Sequence, residues 1–272
     1  MSVSSSAPNV GQVSAEQAVA RLARWGVSER LGLAGGRWLA PLTAKISAAR
    51  HARMFHPDGV VYAARVIAGV EAQDLTPFAR SLSGSALVRF SSALWRGNHE
   101  WPDVLGAALR FTAEGHAPGS EQDLLLATIR FPWTMPLAPL ATNFRSFLWN
   151  HYHAVSPFEA DGIGPLKLRL RSPRLHNASG LPRVEHLARE VAAGRAVFEL
   201  QARHLDVSPL ARHWFTLVRI ELTAPLDVDQ AALRFSPFHA GRGLLPLGFV
   251  HALRAGAYAA SQAARPSDSA ER

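Results

Sequence analysis

The chain has no cysteine in its 272 residues. That excludes a disulfide framework, a thiolate nucleophile and any cysteine-ligated metal or iron–sulfur centre. It has almost no lysine: of 29 basic residues only Lys45 and Lys167 are lysines, and the rest are arginines. Acidic residues are also few, 21 in all, which leaves a formal net charge of +8. Such a balance suits anionic ligands or nucleic acid. The arginines are scattered rather than gathered in tracts, and no nucleic-acid motif accompanies them, so no nucleic-acid partner is expected. There is no G-x-G-x-x-G or Walker loop, and a nucleotide-binding fold therefore has no support. No apolar run approaches the length of a membrane span. The Ser-rich stretch Met1–Asn9 lacks the apolar core of a leader peptide, so the expectation is a cytoplasmic protein with no membrane partner.

What is present is a globular composition, 48% hydrophobic and only 18% charged, enough to bury a full core. Residues 1–14 read as a disordered start, 15–265 as one domain and 266–272 as a disordered tail. Ser14-Ala-Glu-Gln17 forms a capping box ahead of apolar Val19, Leu22, Trp25 and Val27, and a second helical pattern covers Trp38 to Met54 after Gly35-Gly36. Strand signals then dominate. Gly59–Val70, Ala86–Leu94, Val104–Thr112 and Asp123–Phe131 are short, apolar and bounded by turn residues. A Pro-, Trp- and Phe-rich stretch, Pro132–Pro157, interrupts them and is expected to hold one helix. Strands resume at Pro165–Arg171, where Leu166, Leu168 and Leu170 alternate with Lys167, Arg169 and Arg171. Arg195–Arg203 and Trp214–Thr223 follow, with a short helix at His186–Ala193 before them and a final strand at Ala231–Phe235. Leu244–Ala264 reads as a closing helix. Seven or eight strands in two runs of about four imply a closed antiparallel barrel with flanking helices, an α+β fold.

Four segments concentrate polar chemistry. They are Arg53-Met-Phe-His56-Pro-Asp-Gly59, Val88-Arg89-Phe90-Ser91, Asp103-Val-Leu-Gly106-Ala-Ala108-Leu-Arg110-Phe111, and Arg254-Ala-Gly-Ala-Tyr258 followed by Arg265. Taken singly, each has an ordinary explanation in packing or surface charge. In this order the set resembles the catalase superfamily, whose members carry R-x-x-H-x-x-G, V-R-F-S, D-x-x-G-x-A-x-[KR]-F and R-x3-Y-x6-R. The likeness runs from about Arg53 to Arg265. Ser236-Pro-Phe-His239 and Pro246-Leu-Gly248 resemble the small catalase-like haem proteins in particular.

The resemblance implies an eight-stranded catalase-like barrel that binds haem b, with Tyr258 as iron ligand and His56 on the opposite side. It implies that Arg53, Arg89 and Arg265 hold the propionates, that Gly106 lies against the cofactor and that Ser91 orients His56. The chemistry of these types is consistent with those roles. A phenol titrates near pH ~10 and needs the iron's charge and a cation to stay deprotonated. Arg254, one helical turn before Tyr258, supplies such a cation. Arginine's planar fork matches a carboxylate with two hydrogen bonds. His56 would act as base and then acid as the O–O bond of a peroxide breaks.

The resemblance breaks in three ways: Phe55 is bulkier than the small apolar residue common beside the distal histidine, the chain has about half the usual catalase length, and a distal donor is missing. Catalases carry D-L-V-G-N-N-T-P, with a distal asparagine; here the stretch is Asp123-Leu-Leu-Leu-Ala127-Thr128-Ile-Arg130. The amide is missing, and the Thr128 hydroxyl is left as its partial replacement. The expectation is a haem peroxidase or weak catalase acting on hydrogen peroxide or organic hydroperoxides, using a small-molecule reductant, with a homodimer as the assembly. A haem sensor or carrier, a barrel without haem and a hydroperoxide-rearranging enzyme are the alternatives. Weaker candidates are a metal site at His151 and His153 with Glu159 and Asp161, and an Asp206/His213 triad that lacks the G-x-S-x-G elbow.

Overall fold

The computed structural model describes residues 59–69, 76–95, 99–112, 120–208, 213–229, 233 and 235–253. In chain order the elements are β1 (Gly59–Ala68), α1 (Thr76–Ser81), β2 (Gly84–Ser92), β3 (Leu105–Thr112) and β4 (Gln122–Ala127). A 3-10 turn (Pro132–Leu137) runs into α2 (Ala138–Ala141), then β5 (His151–His153), β6 (Phe158–Ala160) and β7 (Gly164–Arg171). After α3 (Arg183–Ala192) come β8 (Val197–His204), β9 (Phe215–Leu226) and β10 (Leu244–Pro246).

Eight of these strands close into an antiparallel barrel in the order β1–β2–β3–β4–β5–β7–β8–β9 and back to β1. β6 and β5 share one edge of β7: β6 pairs with its first half and β5 with its second, and β10 extends the sheet beyond β6. Two bulges on β9, at Thr223 opposite Ala63/Ala64 of β1 and at Leu217 opposite Leu200/Gln201 of β8, add the local bend that closure requires.

An eight-stranded barrel is just wide enough for its own side chains. Here they fill it. Tyr62, Phe90, Phe111, Tyr152 and Phe198 point inward and are buried, and the Phe90 ring lies 5.1–5.7 Å from those of Phe147, Tyr152 and Phe198. Leu166, Leu168 and Leu170 of β7 join the same core while their neighbours face outward, as the alternation predicts.

Seven of the expected strands are present, shifted by a few residues at their ends; Leu233 and Phe235 of the expected last strand lie in no strand, and the eighth barrel strand is β5. Three-residue strands β5, β6 and β10 are not legible in the sequence, because three residues are too few to establish alternation. The expected helix from Leu244 needs correction. Leu244–Pro246 is β10, paired with β6, and helical turns begin only at 249. Pro246 brings no N–H to a helix, and Gly248 takes φ +90°, which redirects the chain before the helix starts. Pro132–Pro157 contains β5 as well as the 3-10 turn and α2. The two N-terminal helical patterns, both terminal tails, residues 231, 232 and 234 of the expected last strand, and everything after 253 lie outside the described residues.

Candidate functional site

Because the interior is core, a ligand as large as haem must lie on the outside of the barrel. The outer face of β1–β4 is unusually smooth. Strand register aligns Gly59, Ser91, Gly106 and Ala127 in one row, and Val61, Arg89, Ala108 and Leu125 in the next. Nothing in the first row is larger than a hydroxymethyl group. Val61, Arg89 and Ser91 point away from the core yet are at most 4% exposed, whereas Arg65 and Ile67 further along β1 are open to solvent.

Gly59 shows how closely this face is packed. A Cβ there would stand 2.6 Å from the Phe90 carbonyl oxygen and 2.8 Å from Cζ of Arg89. The guanidinium therefore lies flat against the start of β1, the point at which the segment carrying Arg53 and His56 enters the barrel. Arg89, Ser91 and Gly106 are thus brought together on one face. Arg53, His56, Arg254, Tyr258 and Arg265 lie outside the described residues.

Ala127, not Thr128, takes the outward place at the end of the first row. The Thr128 hydroxyl accepts the Leu105 N–H at 3.1 Å and meets the Thr142 hydroxyl at 2.7 Å. Thr142 gives its own hydrogen to the Ala138 carbonyl at 2.8 Å, so Thr128 donates to Thr142. Its hydrogen-bonding capacity goes into fastening the exit of β4 to β3 and α2.

A polar cluster that the sequence did not reveal fastens the next segment of chain to this face. The Asp123 carboxylate, fully buried, accepts two parallel bonds from Arg110 at 2.8 Å each, one from the Ser236 N–H at 2.8 Å, and contacts His239 Nδ1 at 2.9 Å. The pairing with Asp123 raises the Arg110 pKa further above its usual range. Beside it, Gln122 donates to the His239 and Leu244 carbonyls and accepts from the Leu244 N–H. Together they pin residues 236–244 across β4. Nothing in the sequence around Arg110 or Asp123 hints at this, because the two meet only through the β3–β4 register.

At one end of the barrel, Arg183 is buried under the β2–β3 and β4–β5 connections. It donates to Ser92 Oγ at 2.5 Å and to the Phe144 carbonyl at 2.8 Å, while its backbone N–H meets Glu100. Asp103 accepts the Val104 N–H at 2.7 Å and the Leu94 N–H at 3.1 Å, and burial is the largest influence on it, raising its pKa.

The outer face of β5, β7 and β8 is different again. Arg169 stacks 4.2 Å over Trp214 and Lys167 4.5 Å over Phe131. His151 and His153 stand among these cations with ring centroids 6.5 Å apart. Burial, then the neighbouring charges, lowers their pKa values to about 4 and about 3, so both are neutral at pH 7. Glu159 and Asp161 belong to β6 and its turn, on the other half of the β7 edge, so the four residues do not converge on one point. Among the described residues no group of three or more ligating side chains gathers to hold a metal. Asp206 lies 3.7 Å from His204, and His213 packs on Phe215.

No family's sequence pattern matches the chain, and no curated protein matches it by sequence. Solved structures do. A fungal catalase superposes with a TM-score of 0.54 at 13% identity, over 82% of this chain and 61% of that one. A bacterial catalase superposes with a TM-score of 0.51 at 14% identity, over 82% and 59%. The fold is thus catalase-like, and the chain spans about three fifths of the length of these catalases.

Proposed function

We propose that this chain binds haem against the outer face of β1–β4 and uses it to reduce peroxides. The row Gly59–Ser91–Gly106–Ala127, with the Arg89 guanidinium buried beside Gly59, carries the reading. It is a flat strip of barrel, free of large side chains, with a cation suited to a propionate at its edge. The catalase-like fold supports it, since the structural neighbours are catalases.

In this reading Tyr258 holds the iron as a phenolate, kept ionised by Arg254, and Arg53, Arg89 and Arg265 bind the propionates. Haem would supply the redox centre that takes up the peroxide's two oxidising equivalents, which a small-molecule reductant then discharges. His56 takes a proton from one peroxide oxygen and returns it to the other as the O–O bond breaks, so that water or an alcohol leaves. Ser91 orients His56. Ala127 contributes no amide to hold the second oxygen, and Thr128 is engaged elsewhere, so turnover as a peroxidase is favoured over rapid dismutation.

The missing amide also favours a second reading, a haem-binding sensor or carrier without turnover. A visible absorption spectrum of protein produced with ample haem precursor tests the first step. A Soret band that Tyr258→Phe abolishes, with peroxide consumption that His56→Ala abolishes while haem remains, is the expected result. Haem retained by the unaltered protein and by His56→Ala, with peroxide consumed by neither, supports the sensor. Protein that cannot take up haem at all refutes both.

A further inference from the structure

We infer that the barrel end formed by the β2–β3 and β4–β5 connections is a docking surface for anionic lipid membranes. The two connections pack on each other: Ala93 and Val104 of the first meet Ile129 and Ala138 of the second. They therefore form one rim rather than two separate loops. That rim carries four of the five tryptophans among the described residues, Trp95, Trp101, Trp133 and Trp149, all exposed. Trp133 is 74% exposed, and Leu137 and Leu140 beside it are 65% and 80% exposed. These are the protruding tips of the rim, not the lining of a groove.

Three observations favour a lipid surface as the occupant over a shaped protein partner. First, convex tips of Trp and Leu enter a lipid interface without needing a complementary cavity, and tryptophan is the residue most suited to that depth. Second, polar needs are met internally. The Trp95 indole N–H donates to the Pro102 carbonyl at 3.0 Å, and Asp103 of the same loop is turned inward onto backbone amides. Third, the charge is complementary. No Asp or Glu occurs between Asp123 and Glu159, so the whole second connection lacks a carboxylate. Arg130 and Lys167 stand directly behind the tips, with Lys167 Nζ 4.5 Å and Arg130 Cζ 5.3 Å from the centre of the Phe131 ring, on which Trp133 stacks. The rim's two carboxylates, Glu100 and Asp103, both accept backbone N–H groups; apolar tips backed by cations match an anionic headgroup layer. No long apolar run marks such a rim in the sequence, because it is built from separate loops. The docking surface does not depend on haem.

Flotation with vesicles tests it, using the full chain in its purified form. Vesicles of phosphatidylcholine with about a third phosphatidylserine should carry the protein up the gradient, and pure phosphatidylcholine vesicles should carry several-fold less, with ~0.5 M salt narrowing the difference. The double variant Trp133→Ser, Leu140→Ser should bind roughly tenfold or more weakly while its melting temperature falls only slightly, since both side chains are mostly in water and only the Trp133–Phe131 stacking is lost. Arg130→Glu should remove most of the preference for anionic vesicles. Absence of binding to either vesicle would overturn the inference, as would binding that the double variant leaves intact. Self-association in light scattering that the double variant abolishes, without vesicle binding, would overturn it in favour of an interface between copies.

Discussion

Two stretches of the same barrel surface carry opposite chemistry. Over β1–β4 one outward row, Gly59, Ser91, Gly106 and Ala127, is made only of small residues. Continue the same register row around the barrel and it passes through His153, Arg169 and Gln201. Both stretches obey one rule, apolar inside and something else outside. Only the content of the outward positions differs, and it makes one face a bare strip and the other a bank of cations. The position of a residue in a strand thus fixes which way it points, and its size and charge decide what that face is for.

The comparison can be broken most severely at the clamp that fixes the chain to the bare face. Asp123→Ala leaves Arg110 half buried without its carboxylate and is expected to cost about 3–5 kcal/mol of stability, read as a large drop in thermal midpoint. Next comes a matched pair in one register row. Gly106→Val should fill the strip and abolish haem uptake, whereas Gln201→Val on the cationic face should leave it intact. Equal loss from both, measured by Soret absorbance per protein, would end the distinction between the faces. Ala127→Asn tests the missing amide: peroxide turnover per haem should rise by roughly tenfold or more, and an unchanged rate would show that the amide is not what limits the reaction.

The cationic face is expected to reveal itself in acid. His151 and His153 have folded-state pKa values lowered to about 4 and about 3 from an ordinary 6.5. The unfolded chain therefore binds protons that the folded one refuses. The stability these neutral rings allow is complete above about pH 6.5, and it falls as the pH drops toward 4. Replacing both with glutamine should flatten the loss between about pH 6.5 and 4 in chemical denaturation series. The smallest effect belongs to an exposed pair. Arg65 meets Glu221 at 2.5 Å with most of its side chain in water, so Arg65→Ala should change stability by at most about 1 kcal/mol.

Much of the architecture is legible in the sequence. The β7 stretch Leu166-Lys-Leu-Arg-Leu-Arg171 states its own inward and outward faces, and the long strands announce themselves by length, β-branching and turn residues. β5, β6 and β10 do not, because three residues carry no period. Leu244 reads as helix because Leu-Leu-Pro-Leu has the composition of either state. The motifs place Arg89, Ser91 and Gly106 correctly on strands but contain no distances among them.

By itself the sequence determined the absence of thiol chemistry, the excess of arginine, the alternation that makes a barrel and the order of the polar motifs. These are properties of residues close together in the chain, where chain geometry alone sets the relationship. Tertiary structure decided that Gly59, Ser91, Gly106 and Ala127, far apart in sequence, share one row. It also decided that Asp123 meets His239, and that tryptophans from two separate connections form one rim. Those pairings depend on strand register and barrel closure, which hydrogen bonding across the whole sheet fixes and no local stretch of sequence encodes.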